Sequence, residues 1–445
     1  MASFIYTIYC YNGIIMLIGT LSLSCCMYTS PVLLTSQSQN IIVISMDKSI
    51  QRLTEVNACA IIPARGGSKG IPHKNISLLA GKPLLAHTIE CAYKAQSIKR
   101  VIVSTDDKNI ALVAKQYRGE VIMRPPDISG DKASSESALL HVLTHLHDVE
   151  RYEPEIVVFL QCTSPLTVPE DIDGTMKALF DNHADTALAV APFHYFLWQR
   201  HKDGSATGIG HDKEVRLLRQ EREPHFRETG GVYIMRTKGF KKAQHRFFGK
   251  TSLYVLPNER CLEIDNPEDF LIAEILMREF QKKQKIHALP DRISMLVLDF
   301  DGVFTNNKVI VAENGREAVV CDRGDGWGIC QLKRKGVPIL VLSTEKNPVV
   351  KARCEKLGIE YIQGVDDKLS VLQTVLAERN MQPEDVIYVG NDLNDLDCLR
   401  AVGCAVVVRD AHRNVQAVAK IILSTCGGNG AIREICELIE QKLEG

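Results

Sequence analysis

Ala58-Cys59-Ala60-Ile61-Ile62-Pro63-Ala64-Arg65-Gly66-Gly67-Ser68-Lys69-Gly70 joins a short apolar run to a glycine-rich, cationic turn. The run is too short for an ordinary helix and bounded as a buried strand is. Glycines let a backbone approach an anion and present its N–H groups to it. Arg65, Lys69 and Lys74 add charge where a triphosphate would lie. The spacing is neither GxxxxGK[ST] nor GxGxxG, which excludes a Walker loop and a dinucleotide fingerprint.

Working outward, apolar runs at 101–104, 156–160, 187–190, 230–235 and 253–256 read as further strands. Segments 84–94, 109–116 and 137–147 carry helical spacing between them. Such alternation predicts a mostly parallel, doubly wound sheet. Pro267 opens a helix expected over 268–280, with acidic residues in its first turn. Residues 281–293, polar and basic with Pro290, read as a linker. A second alternation follows, with strands at 295–298, 339–342 and 386–389 ending at Asp299, Ser343 and Gly390. Open α/β sheets place their chemistry at the carboxyl ends of parallel strands. The expected class is therefore α/β, with two Rossmann-like doubly wound domains at 58–280 and 294–445.

Composition narrows the partners. The 445 residues suffice for two or three domains. Lys+Arg number 53 against 54 Asp+Glu, so no bulk field attracts nucleic acid or anionic membrane. The 14 cysteines form no CxxC pair, which argues against zinc or a disulfide framework; Cys162 and Cys330 read as buried thiols, suited to a reducing cytosol. Residues 1–46 hold no Asp, Glu, Lys, Arg or His, and 4–28 are apolar enough to cross a bilayer. Neither a leading basic residue nor a following basic cluster completes a signal or anchor. An uncleaved anchor, a degenerate targeting segment and sequence upstream of a start at Met46 all fit the extension 1–57; the sudden onset of charge after Met46 favours the last.

Several motifs in order resemble the acylneuraminate cytidylyltransferases, over about 58–280. Arg65 through Asn75 looks like their phosphate motif, Arg124-Pro125 and Ala133-Ser134-Ser135 like their nucleotide-side contacts, and Leu160-Gln161-Cys162-Thr163-Ser164-Pro165-Leu166 like their Leu-Gln-x-Thr-Ser-Pro-Leu. The resemblance implies that Arg65, Lys69, Lys74, Asn75, Arg124 and Ser135 bind CTP, with Lys74 also catalytic. It implies that Gln161, Arg219, Arg227 and Thr229 meet a nonulosonic acid. The family usually has Asn where Thr229 stands, and Asp-x-Asp as metal ligands where this chain reads Glu263-Ile264-Asp265. Alternate residues of a strand share a face, so Glu263 and Asp265 can still converge on one Mg²⁺. His73 and His87 read as surface or structural residues.

Asp299-Phe300-Asp301-Gly302-Val303-Phe304-Thr305, answered by Lys368 and Gly390-Asn391-Asp392-Leu393-Asn394-Asp395, resembles the haloacid dehalogenase-like phosphatases. The resemblance implies Asp299 as nucleophile, Asp301 as acid and base, Ser343 and Lys368 on the phosphoryl group, and Mg²⁺ held by Asp299, Asp301 and Asp392, with Asp395 in support. Within that family the chain is most similar to the small capless sugar-acid phosphatases, which are tetramers; Cys426 through Glu434 looks like their tail. Ser343-Thr344-Glu345-Lys346-Asn347, with Lys356, resembles the nine-carbon-specific variant, so Glu345 and Lys356 are expected on the sugar.

The expectation is a bifunctional, cytoplasmic, oligomeric enzyme using Mg²⁺ in both domains. One half would form a CMP-sugar from CTP and a nonulosonic acid, and the other would dephosphorylate a nonulosonate 9-phosphate. A transferase whose C-terminal half serves only oligomerisation, a CMP-octulosonate pathway enzyme and a non-catalytic sugar-nucleotide sensor are the alternatives.

Overall fold

An uncharged run such as 58–62 is stable only with both faces covered, and the strand Ala58–Pro63 is accordingly buried near the middle of its sheet. In the computed structural model this sheet has seven strands. Their order is Thr251–Val255, Thr186–Phe193, His225–Arg236, Ile156–Leu160, Ala58–Pro63, Ile98–Thr105, Glu120–Met123. All pairings are parallel except the two made by His225–Arg236, which runs antiparallel to both neighbours. The structure describes the backbone of residues 5–11, 14–20, 31–34, 48–68, 70–130 and 133–444, and side chains from residue 52 within these. Lys69 and most of the 1–46 segment therefore lie outside the described residues. Within that segment, Ile5–Tyr11, Ile14–Thr20 and Pro31–Leu34 form an antiparallel three-stranded sheet. Among the described residues no helix is long and apolar enough to cross a membrane.

The chain divides into two compact units at Met277/Arg278. The second has an all-parallel six-stranded sheet in the order Glu360–Ile362, Ile339–Leu342, Met295–Leu298, Val386–Gly390, Cys404–Val407, Ile421–Ile422. Both units are thus the α/β sheets expected of Rossmann-like domains.

Two local expectations need correction. The helix expected over 268–280 runs Pro267–Ala288, through most of the stretch read as a linker. Residues 281–288 are polar, but Gln, Lys and Ala are good helix formers, and the first proline comes only at 290. Cys330 is exposed rather than buried: it lies on the outward face of the helix Arg323–Arg334, whereas Cys162 is buried as expected.

Aspartates set two helix starts in the first unit. Asp107 Oδ1 accepts from the amides of Asn109 (2.7 Å) and Ile110 (2.9 Å), fixing the turn after Ile98–Thr105. Asp171, fully buried, accepts from the Val168 amide at 3.0 Å and from Arg260 at 2.8 and 3.2 Å. That pair fastens the 257–265 segment, which carries two candidate acidic ligands, to the domain's helix Pro169–Asp181. Removing Asp171 leaves Arg260 and a backbone amide without their acceptor. Asp171→Ala should cost about 3 kcal/mol, read as the loss of unfolding free energy in urea; a change near zero would contradict the anchoring role.

Candidate active sites

The first site begins where Ala58–Pro63 ends. The next residues must turn, and the amide of Gly66 donates to Asp106 Oδ1 at 3.0 Å. Asp106 follows the neighbouring parallel strand, so two strand ends hold one loop. Asn75 Nδ2 donates to the Arg65 carbonyl at 3.0 Å, fastening the far side of the loop. A cavity of about 300 Å³ opens here, lined by Arg65, Ser68, Lys74, Asn75, Ser135, Gln161, Thr163 and Asp265 among others. Ser135 opens the helix Ser135–Glu150, and Ser134 caps it by accepting from the Ser137 amide at 3.1 Å. The positive end of that helix therefore faces the cavity, which suits an anion.

The structure thus brings Arg65, Lys74, Asn75, Ser135, Gln161 and Asp265 to one wall system. Lys74 Nζ donates to the Ile264 carbonyl at 2.6 Å, which puts its charge between the flanking acids. Arg124 is buried, with Nη2 donating to the Ser104 carbonyl at 2.8 Å, and lies close enough to Arg65 for the two cations to repel. Glu263 and Asp265 stand on an extended segment outside any strand, so strand alternation is not what pairs them. They nevertheless repel: burial, then Asp265, pushes the Glu263 carboxyl above its ordinary value. Glu263 also accepts from Thr163 Oγ1 at 3.3 Å and, with the amide assigned from its partners, from Gln161 at 3.2 Å.

Other expected sugar contacts are placed differently. Thr229 is buried and its hydroxyl donates to the Ala189 carbonyl at 2.9 Å, inside the sheet. Arg227 Nη2 donates to the Cys261 carbonyl at 3.2 Å, with its charge acting on Glu263. Arg219 lines a separate cavity with Arg222, His225 and Phe226. His87 is structural: Nε2 bonds the Leu79 carbonyl at 2.8 Å, and burial holds its pKa down. Sequence reading passed over Ser68 and the loop-holding role of Asp106. Asp106 directly follows the strand Ile98–Thr105, and nothing local in the sequence shows which loop it receives.

The second site is built on a buried ion triad. Lys368 Nζ lies 2.7 Å from Asp299 Oδ1 and 2.8 Å from Asp395 Oδ1. Its helix, Lys368–Glu378, starts at Lys368 behind the cap Asp367, where the helix dipole disfavours a cation. The two carboxylates outweigh that term and the desolvation of the ammonium, and they hold Lys368 protonated. Burial, then Asp395, pushes Asp299 upward; Lys368 and the Phe300 amide, at 2.7 Å, pull it back. Asp395 also accepts from Tyr388 (2.8 Å) and the Asn391 amide (2.9 Å), so its oxygens are taken by the framework.

Asp299, Asp301, Thr344, Asn391, Asp392 and Asn394 line a cavity of about 300 Å³. Asp301 is half-buried and 3.4 Å from Thr305 Oγ1; burial, then Glu345, raises its carboxyl. Ser343 is buried, its Oγ accepting from the Glu345 amide at 3.0 Å. Lys356 is exposed on the helix Val349–Leu357, outside the lining of this cavity. Asn307, Asn391 and Asn394 join the lining without having been named as site residues. The last two sat in plain view inside the quoted Gly390–Asp395 motif.

Among the described residues no group of three or more His, Cys, Asp or Glu side chains forms a ready metal cage. Mg²⁺ needs less: it takes one or two carboxylates and completes its octahedron with water and phosphate oxygens. The donor sets fit that requirement. The second cavity offers Asp299 and Asp392, and the first offers Asp265 with Glu263 beside it.

A strand-end cradle with a helix N-terminus beside it suits a nucleotide's phosphates, and the Asp299–Lys368–Asp395 unit suits a phosphate-handling hydrolase. Residues 59–252 match the cytidylyltransferase family model and residues 353–435 the haloacid dehalogenase-like hydrolase model. N-acylneuraminate cytidylyltransferase of Oncorhynchus mykiss is 30% identical over 391 residues, covering 85% of this chain and 88% of the relative. N-acylneuraminate cytidylyltransferase A of Danio rerio gives the same identity and coverage. A solved 3-deoxy-D-manno-octulosonate 8-phosphate phosphatase of Moraxella catarrhalis, in complex with magnesium, phosphate and KDO, is 32% identical, covering 37% of this chain and 92% of that one, with a TM-score of 0.34. The chain belongs to the N-acylneuraminate cytidylyltransferase family and carries a haloacid dehalogenase-like hydrolase domain at its C-terminal end.

Removing Asp395 would leave Lys368 with one carboxylate and orphan Tyr388 and an amide in a dry site. Asp395→Ala should therefore cost about 3–5 kcal/mol, measured by denaturant unfolding of the C-terminal unit. A loss under about 1 kcal/mol, the scale of an exposed pair, would show that the triad is solvated.

Proposed function

We propose that the first unit transfers CMP from CTP to the anomeric hydroxyl of a nonulosonic acid, and that the second hydrolyses a nonulosonate 9-phosphate. The observation that carries the first half is the gathering of Arg65, Lys74, Asn75, Ser135, Gln161 and Asp265 around one cavity. In the transfer, a P–O bond forms at the α-phosphorus as the bond to the β-phosphate oxygen breaks. Arg65, Lys69 and Lys74 neutralise the departing pyrophosphate, and the helix N-terminus at Ser135 orients the nucleotide. Gln161, held by Glu263 and the Gly230 carbonyl, directs the sugar acid, and Arg227 or Arg219 meets its carboxylate. Bound at either site, Mg²⁺ supplies charge neutralisation on phosphate oxygens.

In the hydrolysis, an Asp299 oxygen attacks phosphorus and the bond to the sugar oxygen breaks. Asp301 gives its proton to that oxygen. Water then attacks the aspartyl phosphate, its proton passes to Asp301, and Asp299 is freed with phosphate. Lys368 balances the phosphoryl charge, and the Ser343 hydroxyl holds a phosphoryl oxygen by a hydrogen bond. A general acid must hold a proton near neutrality, and the raised Asp301 carboxyl is suited to this. Glu345 and Lys356 select the nine-carbon acid. The same reading makes the protein a cytoplasmic tetramer assembled through its C-terminal unit.

Purified protein given CTP, Mg²⁺ and N-acetylneuraminate should yield CMP-sugar and pyrophosphate; failure with every nonulosonate tried would leave a sugar-nucleotide sensor instead. Asp299→Ala should lower phosphate release at least about 1,000-fold while CMP transfer persists. If transfer persists and wild-type protein releases no phosphate, the C-terminal unit serves assembly alone. Arg65→Ala should reduce CMP transfer about 10- to 100-fold, the worth of one charged hydrogen bond, with kcat and kcat/KM for CTP both lowered.

The phosphatase should also show an alkaline limb set by Asp301. Activity falls as pH rises through a pKa above the usual carboxylate range, because the acid form is consumed. Glu345→Gln removes one of the charges that raise it, so the limb of kcat/KM should move to lower pH. A limb that stays in place would assign it to another group.

A further inference from the structure

The loop bearing Asp301 is gripped from outside by a segment to which the reading above gives no task. Gly428 N–H donates to the Val303 carbonyl at 3.0 Å. A β-carbon on Gly427 would stand 1.8 Å from the Gly302 carbonyl oxygen, and one on Gly428 would stand 2.4 Å from the Asn306 nitrogen. Gly428 also has φ = +67°, a conformation that favours glycine. Backbone therefore lies on backbone with no room for any side chain. On its other flank, Gly302 (φ = +77°) presses on the Asn391 side chain, where a β-carbon would come within 1.9 Å of Nδ2. The acid loop is thus clamped between the 390–395 turn and the 425–430 turn.

The outer jaw is itself braced. Gly427 N–H donates to Asp410 Oδ1 at 3.0 Å, and Asn429 Nδ2 donates to the Gly427 carbonyl at 2.9 Å. Glu434, in the first turn of the helix Ala431–Glu444, accepts from the amides of Ser424 (2.9 Å) and Thr425 (3.0 Å) and from Thr425 Oγ1 at 2.7 Å. Lys285 closes the brace, 2.8 Å from Glu434 and 2.7 Å from Ser424 Oγ. Burial alone would raise the Glu434 carboxyl, but Lys285 and these donors hold it below its ordinary value.

We infer that Gly427, with Asp410 behind it, is a positioning residue of the phosphatase: the 425–430 turn sets where the Asp301 carboxyl stands relative to the leaving oxygen. The inference rests on the phosphatase reading for its consequence, while the clamp rests on the contacts alone. Only a backbone that bears no side chain lets the turn close on the Gly302 carbonyl, and displacing that carbonyl moves the residue before it.

Full-length Gly427→Ala, Asp410→Ala and Asp410→Asn proteins test this, each first checked in denaturant for a retained cooperative unfolding transition of the C-terminal unit. The reporter is kcat/KM, which covers phosphoryl transfer to Asp299 and departure of the alcohol. For N-acetylneuraminate 9-phosphate, whose alkoxide needs a proton to leave, Gly427→Ala should lower kcat/KM about 100-fold, the penalty of misplacing a group by about 1 Å. For 4-nitrophenyl phosphate, whose leaving group needs no proton, the loss should be several-fold smaller. Asp410→Ala should follow the same pattern. Asp410→Asn should restore activity, because an amide oxygen still accepts from the Gly427 N–H. Equal losses with both substrates would overturn the inference. Hydrogen exchange over residues 299–306 gives an answer that needs no turnover: both disruptive variants should exchange faster there, and unchanged exchange would equally overturn it. Wild-type protein inactive on both phosphates would refute the phosphatase reading and leave the exchange result to decide the clamp.

Discussion

Parallel strands that enter a sheet at one edge must all leave it at the other, and that constraint organises both halves of this chain. Each strand is apolar while neighbours cover it, and its first polar side chains appear where the cover stops. Arg65, Asp106 and Gln161 follow three adjacent parallel strands of the first sheet, and Asp299, Ser343 and Asp392 follow three of the second. Arg65 and Gln161, far apart in the chain, therefore meet within one cavity. The glycines at these edges serve the same end, since a chain leaving a strand must turn sharply to bring its amides or carboxylates back over the sheet.

The two cavities solve opposite charge problems. The first gathers cations: Arg65 and Arg124 repel, Lys74 lies near them, and a helix N-terminus adds to the field. Two of these cations are tied to framework carbonyls, Arg124 to Ser104 and Lys74 to Ile264, which offsets part of the repulsion. The second gathers carboxylates, and one buried ammonium, Lys368, keeps Asp299 and Asp395 compatible. Asp395 has every strong interaction satisfied by protein, whereas Asp299 faces the cavity. That asymmetry separates an acid held wholly by the framework from one that faces the cavity, although both touch the same lysine.

Much of this was legible in sequence because the signals are local. The strands 156–160, 295–298 and 339–342 are each one apolar run between polar neighbours, and their limits in the structure are those the run implies. The signature residues Arg65, Asp299, Asp301 and Asp392 sit beside such limits, so placing the strand places them; Lys74 and Asn75 come in a later short turn, Lys74–Ile76. What sequence misses depends on contacts across long separations. Glu120–Met123 is short and only partly apolar, and it becomes a strand through pairing with Ile98–Thr105. The helix through 281–288 was hidden because charge reads as linker where it is also good helix sequence. Thr229, expected at the sugar, is turned into the sheet by the carbonyl of Ala189, forty residues earlier. No pattern near Thr229 announces that bond.

Glu263 shows how a single departure in residue type can be absorbed. A glutamate in the place of an aspartate reaches one methylene further, and here that reach carries its carboxylate to Thr163 and Gln161. Asp265 is then the acid that lines the cavity, while Glu263 stands behind it with its charge partly offset by Lys74 and Arg227. The pair still offers hard oxygens, but the two groups are no longer equivalent: Asp265 lines the cavity, while Glu263 also accepts from the Gln161 amide. Length at position 263 thus sets which neighbours this carboxylate reaches, and a shorter acid there would release Thr163 and Gln161 together.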